Sequence, residues 1–506
     1  MRWWCWMLAV MLVLVSVKEM DSANILFLAP FGTISHKNFF MSIAEALAER
    51  NHTVTFVAGH QASNSRRRIK EVFVADTNIF SEFSSTFVRN QFSSFMKMFS
   101  MSPEYCGKIL RSQELQEVQE EKFDLVMLGI VLSECFYSLI NKLQVPYIHM
   151  TPNTLHESMS DLAGNPQFPS MVGNYLLDLG YPLTFTDRIK NIFSQMVYSV
   201  INMHYAIPRM AIASDVDAAT LRDIRLNGSL VIVNSVEMLE VPVRPYVPTV
   251  IHAGGIHCKP AKPLPKDLEA WVAEAGDEGF IFFSLGSAFK ASTMPEKYRL
   301  VLLKVFVSLK QRILWKWDQD TMDDLPPNVR LAKWLPQQDI LGDPRLRLFI
   351  THGGLLSIQE ATYHGIPILG MPIFVDQHHN VRQVQDEGWG RHQAWEELTY
   401  DLFLQNIHQV INDTKLRQEA VRRSVVMRDQ PMSPGEWTVY WVEYVIRHRG
   451  APHLRSPFFT MHWYEVYNVD VWLLLTGVMA LVTWFFWWVI LTVFSRVCST
   501  IKHKQE

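Results

Sequence analysis

The sequence predicts an α/β protein of two Rossmann-like halves that face a cleft, ended by one membrane-spanning helix. Three observations carry that expectation. Short apolar runs alternate with helical patterns on both sides of a proline-rich stretch, which implies two parallel sheets. That stretch holds Pro242, Pro245, Pro248, Pro260, Pro263 and Pro265, the composition of a connector. Near the end, Val471 to Phe494 runs without a charge, long enough for the roughly 20 apolar residues that cross a bilayer. A chain of 506 residues is also more than one core usually organises, so two or three domains are expected.

The elements follow in chain order. Arg2 precedes an apolar run, Trp3 to Val17, and small or polar residues around Ser22 and Ala23 close it. This is the pattern of a cleaved signal peptide over residues 1–22. Asn24 to Pro30 is a continuous apolar run, as in a strand buried on both faces. Asn38 to Arg50 has helical spacing at Phe39, Ile43, Ala46 and Leu47, and Thr53 to Ala58 is a second strand, so the unit is strand–helix–strand. Phe123 to Leu128, Cys135 to Lys142 and Pro146 to Met150 repeat it, and Val231 to Asn234 closes the half. The interval 61–120 is rich in Phe and Met and takes no element assignment. Beyond the connector come strand Phe280 to Leu285, helix Lys297 to Leu309, and strands Arg312 to Trp317, Val329 to Lys333 and Leu348 to Thr351. The expected divisions are 23–245 for the first half, 246–450 for the second, 451–470 for a juxtamembrane segment, 471–494 for the transmembrane helix and 495–506 for a cytosolic tail.

Composition excludes some functions. The net charge is −3 and no basic stripe occurs, which argues against nucleic acid as a partner. Of five cysteines, Cys5 and Cys498 lie in the terminal segments. Cys106, Cys135 and Cys258 are scattered without metal spacing and read as small buried residues. Asp215-Val216-Asp217 has the DxD pattern of metal-dependent transferases, but its polar helical context reads as a solvated face. Asn51, Asn227 and Asn412 stand in glycosylation sequons.

The stretch from Trp334 to Asn380 is the most informative. A strand runs into His352-Gly353-Gly354, whose glycines admit close approach of a ligand. A helix then starts near Leu355, and its N-terminus suits a phosphate. Ser357, Glu360, Asp376 and Gln377 ring that point, and Trp334 offers an aromatic face to a base. The set outlines a socket for a nucleotide that carries a sugar. In the first half, Gly32-Thr33-Ile34-Ser35-His36 leads into a helix. A histidine at that end meets the positive end of the dipole and is kept neutral, the state a general base requires.

With these residues, and with GGIHCKPAKPLP (Gly254 to Pro265), FFSLGS (Phe282 to Ser287), DQP (Asp429 to Pro431) and the C-terminal anchor, the chain resembles the family 1 UDP-glycosyltransferases. The resemblance covers nearly the whole chain and is to their membrane-bound animal branch. The HGGLL variant is similar to insect members. The resemblance implies the GT-B fold. It also implies that Trp334 stacks the uracil, Gln337 and Glu360 bind the ribose, His352 and Ser357 meet the phosphates with Gly286 and Ser287 opposite, and Asp376 and Gln377 read the sugar. His36 falls where the family keeps its base. The chain departs from the family twice. Leu355-Leu356 stand where plant relatives have Trp-Asn, and Gly129 stands where vertebrate relatives have the aspartate that orients the base. Glu134, five residues later, is the candidate acid.

The function so implied is inverting transfer of a hexose from a UDP-sugar to a hydroxyl of small lipophilic acceptors, a detoxification-type conjugation. UDP-glucose is the expected donor and UDP-glucuronate the alternative. No permanently bound cofactor and no metal are expected, membrane lipid is a partner, and a homo- or hetero-oligomer is open. The rivals are an enzyme dedicated to one endogenous lipid or pigment and an inactive homologue that only binds lipophiles. Lys502 and Lys504 resemble a dilysine retrieval signal. With the signal peptide and the anchor they imply a single-pass protein of the endoplasmic reticulum membrane, its body luminal and its tail cytosolic.

Overall fold

The computed structural model describes residues 22–61, 65–75, 79, 91–174, 177, 179–287 and 289–502. The expected signal peptide, except its last residue, and Lys504 lie outside them. The chain divides into two compact units, one through Leu454 and one from Arg455.

The first unit holds two parallel sheets. One comprises β1 (Asn24–Ala29), β2 (Thr53–Ala58), β3 (Ile69–Phe73), β4 (Leu125–Gly129), β5 (Tyr147–Thr151), β6 (Val231–Val233) and β7 (Val250–His252). The other comprises β8 (Phe280–Ser284), β9 (Arg312–Lys316), β10 (Val329–Ala332), β11 (Leu346–Thr351), β12 (Ile368–Gly370) and β13 (Gly390–His392). Their orders are β3-β2-β1-β4-β5-β6-β7 and β10-β9-β8-β11-β12-β13. In each sheet the strand order reverses beside the first strand of the half: β1 lies between β2 and β4, and β8 between β9 and β11. This is the doubly wound arrangement that the alternating pattern predicts, and ligands of such sheets bind where the order reverses. The register sets Phe27 beside Phe56 and Phe282 beside Phe349. β4, β5 and β8 are buried along their whole length, as apolar runs covered on both faces require.

Several elements depart from the expectation. The interval 61–120 contains β3 and the helices Gln91–Leu110 and Gln113–Gln119. β7 extends the first sheet past residue 245, drawn from the proline-rich stretch that reads as linker. Three-residue strands such as β7, β12 and β13 are too short to show a period. The helix Pro434–Arg447 returns to the first sheet: Val439, Val442 and Val445 share a core with Phe27, Phe39 and Phe56. Glu443 lies 3.3 Å from His52 and 3.7 Å from Arg50.

The reading of the cysteines needs correction for one pair. Cys106 and Cys135 form a disulfide, with Cα atoms 5.4 Å apart. Cys106 sits on the helix Gln91–Leu110 and Cys135 in the 3-10 turn Ser133–Phe136. The two elements pack in one core beneath the sheet, a meeting that sequence spacing does not reveal. Cys258 is a half-buried free thiol.

The second unit contains the helix Trp463–Val466 and the helix Val469–Lys502. Val469–Val497 has mean hydropathy 2.1 and is long and apolar enough to cross a membrane. It outruns the expected 471–494 at both ends because helical hydrogen bonding continues past the charges of Asp470 and Arg496.

Candidate active site

Four loops leave the sheets at the two reversal points. Pro30 to Thr33 follows β1 and Ile130 to Leu132 follows β4. Leu285 to Ser287 follows β8 and His352 to Gly354 follows β11. A single cavity of about 620 Å³ is lined from all four. His36, Glu134, Gly286, Ser287, Trp334, Gln337, His352, Gly354, Ser357, Glu360, Asp376 and Gln377 all border it. Gly353 is the one expected site residue absent from that lining. It sits behind the loop with φ +82°, where a Cβ would lie 2.3 Å from Val381 Cγ2.

On the first side, Thr33 caps the helix Ile34–Glu49, its hydroxyl accepting from the His36 N–H at 3.5 Å. Gly32 turns the chain with φ +128°, and a Cβ there would lie 2.8 Å from His36 Nδ1. Burial lowers the His36 imidazole to about 4, and His60 adds to the effect. Burial is the leading cause of this depression, which favours the neutral ring. His60 is itself held by Gly32 O at 2.9 Å.

Glu134 borders the same cavity as His36. Its carboxylate pairs with Arg225 at 4.0 Å. Arg225, buried at the end of the helix Ala218–Arg225, must have a counter-charge there. At Gly129 a side chain would have to push its neighbours aside: a Cβ would meet Ala29 Cβ at 3.2 Å and Phe40 Cε2 at 3.3 Å. Asp217 of the DxD triplet caps that same helix, accepting from Ala219 and Thr220 N–H at 3.0 and 2.9 Å.

On the second side, the helix Leu355–His364 begins at Gly354 with no side chain capping it. Its first-turn N–H groups therefore point at the cavity without a side-chain acceptor. Its other face is tied to the first half, since Gln359 donates to Asn234 O at 2.9 Å and accepts from Gly255 N–H at 3.2 Å. Leu356, one of the two departures from the plant pattern, packs against the core of the first sheet. His352 is buried and lowered to about 4 by burial and then by Lys316. A Cβ on Gly286 would stand 2.5 Å from His352 Cε1, so only glycine fits opposite it.

Gln337 donates to Ser357 Oγ at 3.0 Å and to Glu360 Oε2 at 2.5 Å. Burial raises the Glu360 carboxyl to about 7, against the hydrogen bond from Gln337. Trp334 is 69% exposed, an unusual state for tryptophan, with Lys316 Nζ 5.0 Å from its ring centroid. Asp376 accepts from Asn380 Nδ2 at 2.7 Å, and burial raises it to about 6. Gln377 Oε1 accepts from the Ile373 and Phe374 N–H groups at 2.9 and 3.0 Å. Its carbonyl thus holds the loop, leaving the amide nitrogen end for a ligand.

Lys316, Arg225 and Glu157 are among the lining residues that the sequence reading did not single out. Lys316 donates to Gly286 O at 2.9 Å. Its signal was available, because it is the last residue of β9, at the edge where ligands of parallel sheets bind. Arg225 and Glu157 also line the cavity. They come from helices whose placement no local pattern announces.

The comparisons agree with this geometry. A family model described as UDP-glucoronosyl and UDP-glucosyl transferase matches residues 34–505. The UDP-glycosyltransferase UGT5 of Dactylopius coccus is 33% identical over 467 residues, which cover 89% of this chain and 88% of that one. The UDP-glucuronosyltransferase 2B17 of Homo sapiens is 30% identical over 500 residues, covering 93% and 94%. Among solved structures, the calicheamicin glycosyltransferase CalG4 is similar with TM-score 0.59 and 16% identity, over 85% of this chain and 99% of its own. A UDP-glucosyltransferase from Polygonum tinctorium gives 0.58 and 17%, with the same coverage. The two doubly wound sheets and their shared cleft are the GT-B fold, and the chain belongs to the UDP-glucuronosyl and UDP-glucosyl transferase family.

Proposed function

We propose that this UDP-glycosyltransferase moves glucose from UDP-glucose to a hydroxyl of small lipophilic acceptors, with inversion at the anomeric carbon. The observation that carries the reading is the single cavity bordered by His36 on one sheet and by the donor set on the other. In this reading the neutral His36 imidazole takes the acceptor proton. The oxygen then attacks the anomeric carbon from the face opposite UDP. The uncapped N-terminus of the helix Leu355–His364, with His352, Ser287 and Ser357, stabilises the charge that develops on the leaving diphosphate. Trp334 stacks the uracil, Gln337 and Glu360 hold the ribose, and Asp376 and Gln377 hold the sugar hydroxyls. Glu134 serves here through Arg225, as part of the acceptor wall.

Glucose is favoured over glucuronate by Asp376: a carboxylate at the sugar end accepts from hydroxyls and repels a second carboxylate. The test supplies membranes containing the protein with UDP-glucose or UDP-glucuronate and a panel of phenols. Glucosides of many phenols are the expected products. Glucuronides alone would overturn the donor, turnover of a single acceptor would favour a dedicated enzyme, and no turnover would favour a lipophile binder. We also propose a type I topology in the endoplasmic reticulum membrane. Changing Lys502 and Lys504 to Ser should let the chain leave that compartment, read by glycan maturation at Asn51, Asn227 or Asn412. Immature glycans on the double variant would rule the lysines out.

A further inference from the structure

Among the described residues, two carboxylates of the first half border the cavity, and only one of them is paired with a cation. Glu134 has Arg225 at 4.0 Å. Glu157, the first residue of the helix Glu157–Ala163, borders the same cavity. Its Oε2 accepts from Asn174 Nδ2 at 3.1 Å and its Oε1 from Gln195 Nε2 at 3.1 Å. Gln195 belongs to the helix Phe185–Ile201, so two neutral amides from separate segments fix this carboxylate in the wall. Asp161, one turn along the same helix, faces it as a like charge. His156, the residue before it, is kept neutral by burial and then by Arg244. Among the described residues no Lys, Arg or His pairs with the carboxylate, and burial raises it to about 7. A buried acid in this state either takes up a proton or is matched by a cation from outside.

We propose that Glu157 is the acceptor-specificity residue of this cleft, and that it selects acceptors carrying a protonated amine as well as the hydroxyl that receives the sugar. The proposal rests on the reading of the cavity as the acceptor cleft. Its geometry follows from the sheet. The strand order β1-β4-β5 sets the chain that leads to His36 and the chain that leads to Glu157 two strand spacings apart, roughly 10 Å. An aromatic hydroxyl with a two-carbon arm to its amine spans such a distance. The loop after β4, which lies between them, contributes Ile130, Val131 and Leu132 to the lining, an apolar wall for the carbon body of the acceptor. An ammonium at the far end would make charge-assisted hydrogen bonds to Glu157 and hold it ionised. Arg225, the cation that also borders this side, is already faced by Glu134 and Asp161.

The test compares two phenols of one shape, para-dimethylaminoethylphenol and para-isopentylphenol, in which a CH group replaces the protonated nitrogen. Binding of each to the full chain in detergent is measured by calorimetric titration, with detergent alone as the blank. Transfer to each is measured with UDP-glucose. The parent protein should favour the amine by ~10-fold or more in Kd and in kcat/KM, the worth of a hydrogen bond to a charged group. Glu157→Gln keeps the shape of the side chain and should abolish that preference by weakening the amine. Equal affinities of the parent for the two phenols would overturn the proposal, and so would a preference that survives in Glu157→Gln. The comparison in the parent requires no variant, so it stays decisive if Glu157→Gln folds poorly. If sugar reaches neither phenol, the proposed reaction fails, while the binding ratio still decides the role of Glu157.

Discussion

His36 is neutral because burial removes water from around the ring and His60 disfavours a second charge. Two outcomes follow at this residue. His36→Ala should lower turnover by ~10²–10⁴-fold and leave UDP affinity unchanged, as read by product formation and by calorimetric titration with UDP. Turnover above a tenth of the parent would exclude the histidine as base. In the parent protein the acid limb of kcat/KM should fall near pH 4, and a limb near the ordinary imidazole value would contradict a buried ring. For Glu134→Gln, the pairing with Arg225 predicts an unshifted pH profile and a lower melting temperature, since Arg225 loses one of its two acidic neighbours, Asp161 being the other. A slowed step with a displaced acid limb would instead make Glu134 the acid that orients the base. Glu360 carries the opposite linkage. Burial raises its folded-state carboxyl from the ordinary glutamate value to about 7. The stability it contributes is therefore complete below about 4.5 and is lost as pH rises through about 7. Glu360→Gln should raise the melting temperature of the ligand-free protein more at pH 8 than at pH 5, and should weaken UDP binding. An equal change at both values would show that the carboxyl is not perturbed. A gain in stability at the expense of binding is common at ligand sites.

At the scale of elements, glycine in the donor loop answers two demands at once, unlike glycine in the turn before β8. Gly353 has a positive φ and also a neighbour, Val381, where a Cβ would stand. Gly276 has a positive φ of +54° but nothing within 4 Å. The pair separates backbone strain from collision. Gly276→Ala should cost about 1–2 kcal/mol and leave activity intact. Gly353→Ala adds the clash to the same strain, so it should cost more and abolish UDP binding. Urea unfolding and UDP titration measure both, and equal losses at the two sites would remove the packing argument. The same scale explains the departure at Leu355-Leu356. Leu356 is occupied with the core of the first sheet, so the start of that helix reaches the cavity through backbone N–H groups more than through side chains.

At the scale of the molecule, the two sheets are joined by more than the connector. The helix Pro434–Arg447 lies in the core of the first sheet, and Gln359 bonds the helix Leu355–His364 to Asn234 and Gly255. The helix Val469–Val497 is long and apolar enough to cross a membrane. Deleting Asp470 to Glu506 should make the chain extractable at alkaline pH, because a surface-bound helix is released under those conditions and a spanning helix is not. A deleted chain that stayed in the pellet would show a second integral segment.

The sequence by itself determined the elements whose signal is local. Apolar runs announced β1, β2, β4, β5, β8, β9 and β11, and an uncharged stretch announced the membrane helix, because burial on both faces or in lipid demands continuous hydrophobicity. The candidate donor residues were brought together by the sequence for a similar, local reason. Most of them lie within one stretch, Trp334 to Gln377, on one strand–turn–helix unit and its flanks. Only the tertiary structure decided what depends on distant residues meeting. It joined Cys106 to Cys135, gave Glu134 to Arg225, filled the space at Gly129 with Ala29 and Phe40, and added Lys316 to the cavity. It also turned the apolar face of the helix Phe185–Ile201 outward. Periodicity shows that a helix has two faces, but which face is buried depends on what packs against it, and that is set by the whole chain.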